Sequence, residues 1–431
     1  MNRRLKIITE VCRILTGAVF IFSGTVKSID PTGSAIKIGE YLESFGMGYF
    51  PWMEMPLSFG LSSLEFMLGA CLLLGVYRKW ITLGILVFMS VMTLLTFYLA
   101  LYSPVVDCGC FGDALILTNW QTFYKNLMLT AAAVTMFVFR KYLTPLYTRE
   151  AYLFVPIFAF FFCIGFCYWN YAHLPVVDFR PYKIGENIPK MMEIPAGAPQ
   201  DEYRFVYKKN GAAKEFSLEE SPVNDSTWTY VDAILVKQGF TPKIGAFELY
   251  DENGENITDR VLSQPEVVLL LVAPRIEHAS EKHASQINNL HDFTKENDGF
   301  AFYCATGSSE QEIAEWKKDT GADYPFLTTD DVALKTMIRA NPGLMMLKEG
   351  TILGKWHLND MPEPEELSAI LSDYKEYVSS FGTDVKWISA SSAQKGRFWL
   401  YIVSAFILPL LLIWLYDFFR NRTSGRNLNW K

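Results

Sequence analysis

Six long apolar runs constrain this chain more than any other feature. A helix crossing about 30 Å of hydrocarbon needs about 20 predominantly apolar residues. Runs of that kind occupy 7–26, 57–77, 80–102, 121–140, 151–172 and 397–417. Half of the chain is apolar and 15% is aromatic, which fits a membrane class. The segment between the last two runs has ordinary soluble composition.

Lys and Arg set the expected orientation. Arg3, Arg4 and Lys6 precede the first run, Arg78 and Lys79 fill the second-to-third turn, and Arg140, Lys141 and Arg149 follow the fourth. Arg420, Arg422, Arg426 and Lys431 close the chain. With six alternating spans these clusters all fall on one side, which is the positive-inside pattern. Both termini are therefore expected in the cytoplasm, with the large segment outside, periplasmic if the cell is Gram-negative and the membrane its inner one. A cleaved signal peptide fits poorly, because no small-residue cleavage site follows FIFSG and further spans do. The net charge of −7 lies mostly in the outer segment and speaks against nucleic acid. The expected partners are the bilayer and an extracytoplasmic client protein.

Residues 1–145 predict an antiparallel four-helix bundle. After the first span, SAIKIGEYLESFGMGYF places Ile36, Tyr41, Leu42 and Phe45 at helical spacing between Pro31 and Pro51. That pattern predicts an amphipathic interfacial helix. The third run leads into CGCFGD, residues 108–113, where two cysteines stand close together outside a span. Outer compartments are oxidising, so neighbouring cysteines there tend to pair. A single intervening residue strains an internal disulfide, because bridged Cα atoms prefer about 5.5–6 Å and a fixed torsion. Gly109 supplies the backbone freedom to allow it. Strain makes the bond readily reduced, hence oxidising toward other thiols. Cys108 and Cys110 are thus a candidate exchange site, with a structural staple or two unreacted thiols as alternatives. No His or further Cys lies near enough in sequence to suggest zinc or iron–sulfur.

Lys27 and Glu65 are the next candidates. Glu65 lies about two turns, ~10 Å, inside the second span, where an ionisable group faces a bundle interior or a partner. Lys27, at the outer end of the first span, can reach inward on its long stem. Such a pair can tune a nearby thiol or relay a proton, or simply join two helices. Asp107 and Asp113 are expected to keep the loop wet. Cys163 and Cys167 share one face of the fifth span, outside the four-helix unit. They are placed to receive electrons from the outer pair, but like Cys12 and Cys71 are expected to be packing residues. Cys304 is expected to be a buried free thiol.

The strings RILTGAVFIFSGTVKSIDP and SSLEFMLGACLLLG, with their SG-x-x-K and E-x-x-x-G elements, and CGCFGD resemble the DoxX-like and MauE-like membrane families. The resemblance covers the first third of the chain. It implies a four-helix membrane bundle engaged in thiol redox work. MauE-like members are linked to disulfide-dependent maturation of methylamine dehydrogenase. DoxD-like relatives belong to quinone-reducing enzymes, so the cofactor implied is a quinone.

Residues 146–175 carry the fifth span. Residues 176–265 look β-rich but irregular, with hairpin signals at Asn210–Gly211 and Asn253–Gly254. From 266 to 385 the order is clearer. VVLLLVA is a continuous apolar run suited to a buried strand. A polar helix over 278–297, strand FAFYCAT, helix SSEQEIAEWKKDT and short helix DDVALKTMIR follow. A hairpin turning at Glu349–Gly350 and a closing helix complete the unit. This succession resembles the thioredoxin fold, with Pro342 at the place of its cis-proline. Where C-x-x-C would follow the first core strand, the chain has Ala273-Pro274-Arg275-Ile276-Glu277-His278. Without thiols there is no exchange chemistry, which leaves a redox-dead domain for binding or positioning a client. His278, His283 and His291 fall on the polar helix at spacings that do not stack for a metal, and are expected to be solvated. Residues 397–417 form the sixth span and 418–431 a basic cytoplasmic tail.

The expected architecture is an α-helical membrane bundle with an α/β thioredoxin-like outer domain. The leading reading is a membrane thiol–disulfide oxidoreductase component using Cys108, Cys110, Lys27 and Glu65. Its competitor is a non-enzymatic envelope scaffold in which CGCFGD is structural. A transporter fits least, because the spans lack broken helices.

Overall fold

The computed structural model describes residues 3–423 except 106, 148–151, 210, 224, 238, 246, 383–386 and 388–389. The expectations placed on Arg149, on Asn210 and on residues 424–431 of the tail fall outside the described residues.

The membrane unit is helical: α1 (Arg3–Ile29), α2 (Pro31–Ser44), α3 (Glu54–Leu74), α4 (Arg78–Tyr102), α5 (Asn119–Val138) and α6 (Phe154–Ala172). Among the described residues, four segments are long and apolar enough to cross a membrane: Pro51–Leu74, Arg78–Tyr102, Phe154–Ala172 and Leu400–Phe419. The last lies in α13 (Ala390–Thr423). The apolar runs 7–26 and 121–140 lie in α1 and α5, which have 27 and 20 residues but carry polar inner faces. Several of those polar groups find partners inside the bundle. Arg13 Nη1 donates to the Thr144 carbonyl at 2.6 Å, and Asn126 Nδ2 to Thr96 Oγ1 at 3.2 Å. Cross-helix hydrogen bonds of this kind join helices where lipid offers no hydrophobic drive.

Glycine sets the closest crossing. A Cβ on Gly24 would lie 2.6 Å from the Phe66 backbone nitrogen, and one on Gly69 would lie 2.8 Å from that of Ile21. The SG-x-x-K element of α1 and the E-x-x-x-G element of α3 therefore interlock, each glycine admitting the other helix's backbone.

Two expectations change here. α6 packs on α1 and α3 instead of standing outside the four-helix unit, because its small side chains Ala159, Cys163 and Cys167 seat against Phe66 and Ala70. In α2 the buried seam is Ala35, Gly39 and Leu42, with Phe45 exposed. That helix rests on α3 and over the CGCFGD loop.

The segment after α6 begins with α7 (Ile188–Met192) and an antiparallel sheet, order β2-β1-β3, of β1 (Glu202–Lys209), β2 (Ala212–Phe216) and β3 (Thr229–Lys237). After α8 (Thr258–Ser263) comes a five-stranded sheet of order β6-β5-β4-β7-β8. It comprises β4 (Val267–Ala273), β5 (Phe300–Thr306), β6 (Phe326–Thr328), β7 (Gly343–Lys348) and β8 (Thr351–His357). β4, β5 and β6 run parallel, whereas β7 and β8 are antiparallel. Every residue of β4 is buried, as a central strand covered on both faces requires. Val268, Leu270 and Val272 meet α8 and α11 (Asp331–Met337) on one face. Val267, Leu269 and Leu271 meet α9 (Ala284–Glu296), α10 (Glu310–Thr320) and α12 (Pro364–Phe381) on the other. The Asn341–Pro342 bond is cis, and the β7–β8 turn has positive φ at Glu349 and Gly350, as a tight hairpin needs. Strand order, flanking helices and cis-proline make this a thioredoxin-like fold.

The predicted polar helix is shorter than expected. Ile276–His278 and Glu281–His283 form separate 3₁₀ turns before α9. His291 is not solvated. It is only 7% exposed on the face shared with Ile287 and Leu290, packed against Phe302 and Tyr324. Burial pushes its imidazole below the ordinary range.

Candidate active site at the CGCFGD loop

The loop after α4 turns back through Gly109, whose φ of +63° favours glycine and whose added Cβ would lie 3.2 Å from Lys37 Cγ. This turn brings the sulfurs of Cys108 and Cys110 to 2.8 Å. Cys108 is buried against Leu99 and Val105, and Cys110 is half-buried.

Beneath the loop, Lys27 Nζ donates to both Glu65 carboxylate oxygens, at 2.8 and 2.7 Å. Lys27 is 6% and Glu65 3% exposed, so a full ion pair sits inside the bundle. Lys27 also donates to Ser23 Oγ at 2.9 Å, and Ser23 donates to the Cys110 carbonyl at 2.7 Å. The four residues named from sequence thus converge, with Cys110 on the ion-pair side. A cavity of about 30 Å³ lies between them, bordered by Ser23, Lys27, Glu65, Cys110 and Lys125. It has room for about one water. A quinone ring does not fit in that space.

The two thiols are driven apart in acidity. The hydrogen bond from Cys108 S–H holds Cys110 below the ordinary thiol value; Lys125 and Lys27 add to this against the opposing burial. Cys108 is pushed up by that same bond and by burial. Of the two sulfurs, Cys110 is the one held toward the thiolate, the form that attacks disulfides.

Sequence reasoning missed four residues of this site. Lys125 stands with its Nζ 4.2 Å over the Phe111 ring; a lysine inside an expected span was a legible signal. Lys37 pairs with Asp107 at 3.1 Å, and Tyr41 OH donates to the Cys108 carbonyl at 3.0 Å. Arg339, from the thioredoxin-like domain, reaches Asp113 at 3.3 Å. Asp107 and Asp113 are therefore ion-paired tethers, not merely wetting groups. Asp107 also accepts from the Gly109 N–H at 2.8 Å.

The remaining cysteines stay apart from this loop. Cys163 and Cys167 are buried beside Phe66, with Ser28 and Ser63 near Cys163. Cys304 is fully buried in β5, where burial pushes its thiol up. No group of three potential metal ligands occurs among the described residues.

These features define a class: a helical membrane unit bearing a tuned dithiol, joined to a thioredoxin-like domain with no C-x-x-C pair. Residues 5–139 match the family model described as methylamine utilisation protein MauE, so the N-terminal unit is a MauE family domain. Residues 201–237, the three-stranded sheet, match a domain of unknown function, DUF8463. No curated protein matches the chain. Among solved structures, a candidate protein disulfide isomerase from Bacteroides thetaiotaomicron is 17% identical, covering 31% of this chain and 86% of that one at a TM-score of 0.25. A candidate thioredoxin from Neisseria meningitidis is 17% identical over 33% and 95%, at 0.26. A secreted Mycobacterium tuberculosis disulfide oxidoreductase is 13% identical over 30% and 95%, at 0.23.

Proposed function

We propose that this protein is a membrane thiol–disulfide oxidoreductase component acting on an extracytoplasmic client, and that Cys110 and Cys108 carry the exchange. The observation that carries this reading is the split environment of the two sulfurs. Cys110 faces Lys27 and Lys125 and takes a hydrogen bond from Cys108. In the oxidising direction, a client thiolate attacks the Cys108–Cys110 disulfide, and the mixed disulfide resolves when the client's second thiol displaces Cys110. Two electrons and two protons pass from the client dithiol to the loop. Lys27 and Lys125 favour the Cys110 thiolate that leaves, and Glu65 holds Lys27 in place beneath it. The six-span arrangement belongs to this proposal, with α1 and α5 as the additional spans, both termini cytoplasmic and the outer domain periplasmic.

A second reading, a scaffold with a structural CGCFGD loop, draws on the burial of Cys108, which is 7% exposed. One experiment separates them. With Cys108→Ala, the Cys110 thiolate should attack the disulfide of oxidised client, forming a mixed disulfide and releasing the client's other sulfur as thiolate; with no Cys108 to displace it, the client-linked species should accumulate on non-reducing gels and vanish on reduction. Absence of that species, together with undiminished client oxidation in a Cys108→Ala/Cys110→Ala chain, leaves the scaffold standing.

A further inference from the structure

The thioredoxin-like domain touches the dithiol loop although it holds no thiol for exchange. Arg339 lies in the segment between α11 and the cis Pro342. Its Nε donates to both carboxylate oxygens of Asp30, at 3.1 and 3.0 Å, and its Nη2 to Asp113 Oδ2 at 3.3 Å. Its Nη1 donates to the Lys335 carbonyl at 2.6 Å. Arg180 Nη1 donates to the Lys335 and Thr336 carbonyls, bracing the turn from which Arg339 springs. The Arg339 side chain is 8% exposed.

Both of its acidic partners are structural anchors. Asp30 accepts from the Gly33 N–H at 2.8 Å and so caps the N-terminus of α2. Asp113 ends the CGCFGD motif. α2 in turn lies on the loop, with Lys37 on Asp107 and Tyr41 on the Cys108 carbonyl. The loop is thus held at its start by Lys37, in its middle by Tyr41 and at its end by Arg339. The helix supplying the first two tethers is itself fixed by Arg339. Burial pushes the Asp113 carboxyl up, and the Arg339 guanidinium opposes that shift. Removing the arginine leaves the largely buried Asp30 without its cation beside the more exposed Asp113, and stranding a buried acid costs far more than losing an exposed pair.

We propose that Arg339 is a positioning residue for the dithiol: outer-domain docking through this side chain fixes α2 over Cys108 and Cys110 and sets their access to a client thiol. The proposal deepens the exchange reading and rests on it. It gives the cysteine-free domain a defined part, because a client that displaces the Arg339 loop also loosens the cover.

The test uses the full chain, reduced, in lipid nanodiscs. The rate of an impermeant maleimide at Cys108 and Cys110 is read peptide by peptide by mass spectrometry. Arg339→Ala should raise that rate about tenfold or more, since one buried ion-pair partner is lost. Arg339→Lys should give a smaller rise. Lys37→Met, which frees Asp107 from α2 without touching Arg339, should raise the rate as well. Arg275→Ala, which removes the same domain's exposed pair with Asp331, should leave the rate unchanged. Parental labelling in Arg339→Ala, or an equal rise in Arg275→Ala, overturns the proposal. If Arg339→Ala lowers the unfolding temperature, the two chains are labelled at equal distances below their own unfolding temperatures: a rise that persists supports positioning, and one that vanishes overturns it. Maleimide rates respond to α2 whether or not a client exists, so failure of the exchange reading is seen separately, as no mixed disulfide alongside intact coupling.

Discussion

The CGCFGD loop and the Ala273–His278 turn of the thioredoxin-like domain are both short connections leading out of a buried element, and only one carries sulfur. In the loop, a glycine-enabled turn aims two thiols at each other over a buried lysine. In the turn, polar groups close on their own neighbours. Ser308 Oγ accepts from the Ile276 N–H at 2.8 Å and donates to Glu277 Oε2 at 2.7 Å, while Asn341 Nδ2 donates to the Arg275 carbonyl at 2.7 Å. The outer domain's one cysteine, Cys304, is buried in mid-sheet with its thiol pushed up. A thiol becomes reactive through nearby cations and donors, and these have gathered in the membrane unit. The outer domain keeps the fold and supplies a contact.

The hardest test of this contrast is the buried ion pair. Lys27→Ala strands Glu65 inside the bundle and should cost about 3–5 kcal/mol, because breaking a buried pair leaves an uncompensated charge. Thermal unfolding in detergent reads it. The paired change Lys27→Met/Glu65→Leu removes both charges and should recover most of that stability. If it also retains full client oxidation, the ion pair is structural and the loop loses its distinction from the turn. Gly24→Ala comes next. Its methyl would meet the Phe66 backbone at 2.6 Å, so α1 and α3 must separate, at about 1–3 kcal/mol for overpacking. Exchange should fall with it, because the crossing sets the Lys27–Glu65 contact. Cys304→Ala should cost about 1 kcal/mol through a small cavity and leave exchange untouched; a loss of exchange there would erase the contrast.

How much of this was legible in the sequence follows from the range of the interactions. The four runs that form long apolar helices, the fully buried β4, the Glu349–Gly350 turn and the missing C-x-x-C are local patterns, legible in the sequence. The Lys27–Glu65 pairing was also within reach, since two intramembrane charges near the same face seek each other. The role of the glycines in SG-x-x-K and E-x-x-x-G was not, because spacing alone does not say which backbone comes close. β3 and β6 were missed: one is mostly exposed and the other has three residues. His291 was misjudged because a polar-looking helix hid a buried face. Arg339 could not be found at all. Its partners Asp30 and Asp113 are distant in sequence, and their pairing depends on how the two units dock.

Lys125 offers the finest test. It acts on Cys110 with Lys27, after the larger hydrogen bond from Cys108, to hold the thiol below its ordinary value of 9.0. Lys125→Met keeps the stem over Phe111 and removes the charge. The Cys110 value should then climb, so less thiolate is present at neutral pH. Alkylation by iodoacetamide should slow by about two- to fivefold at pH 7, the size expected of one partly screened charge. The sign fixes the rest of the profile. Above the ordinary thiol value both chains are ionised and the rates should merge, whereas below it the gap should widen until both are protonated. Cys108→Ala removes the first cause and should shift the profile further in the same direction. A parent profile already centred at 9.0 would make the CGCFGD sulfurs ordinary thiols, no better prepared than Cys304 for exchange.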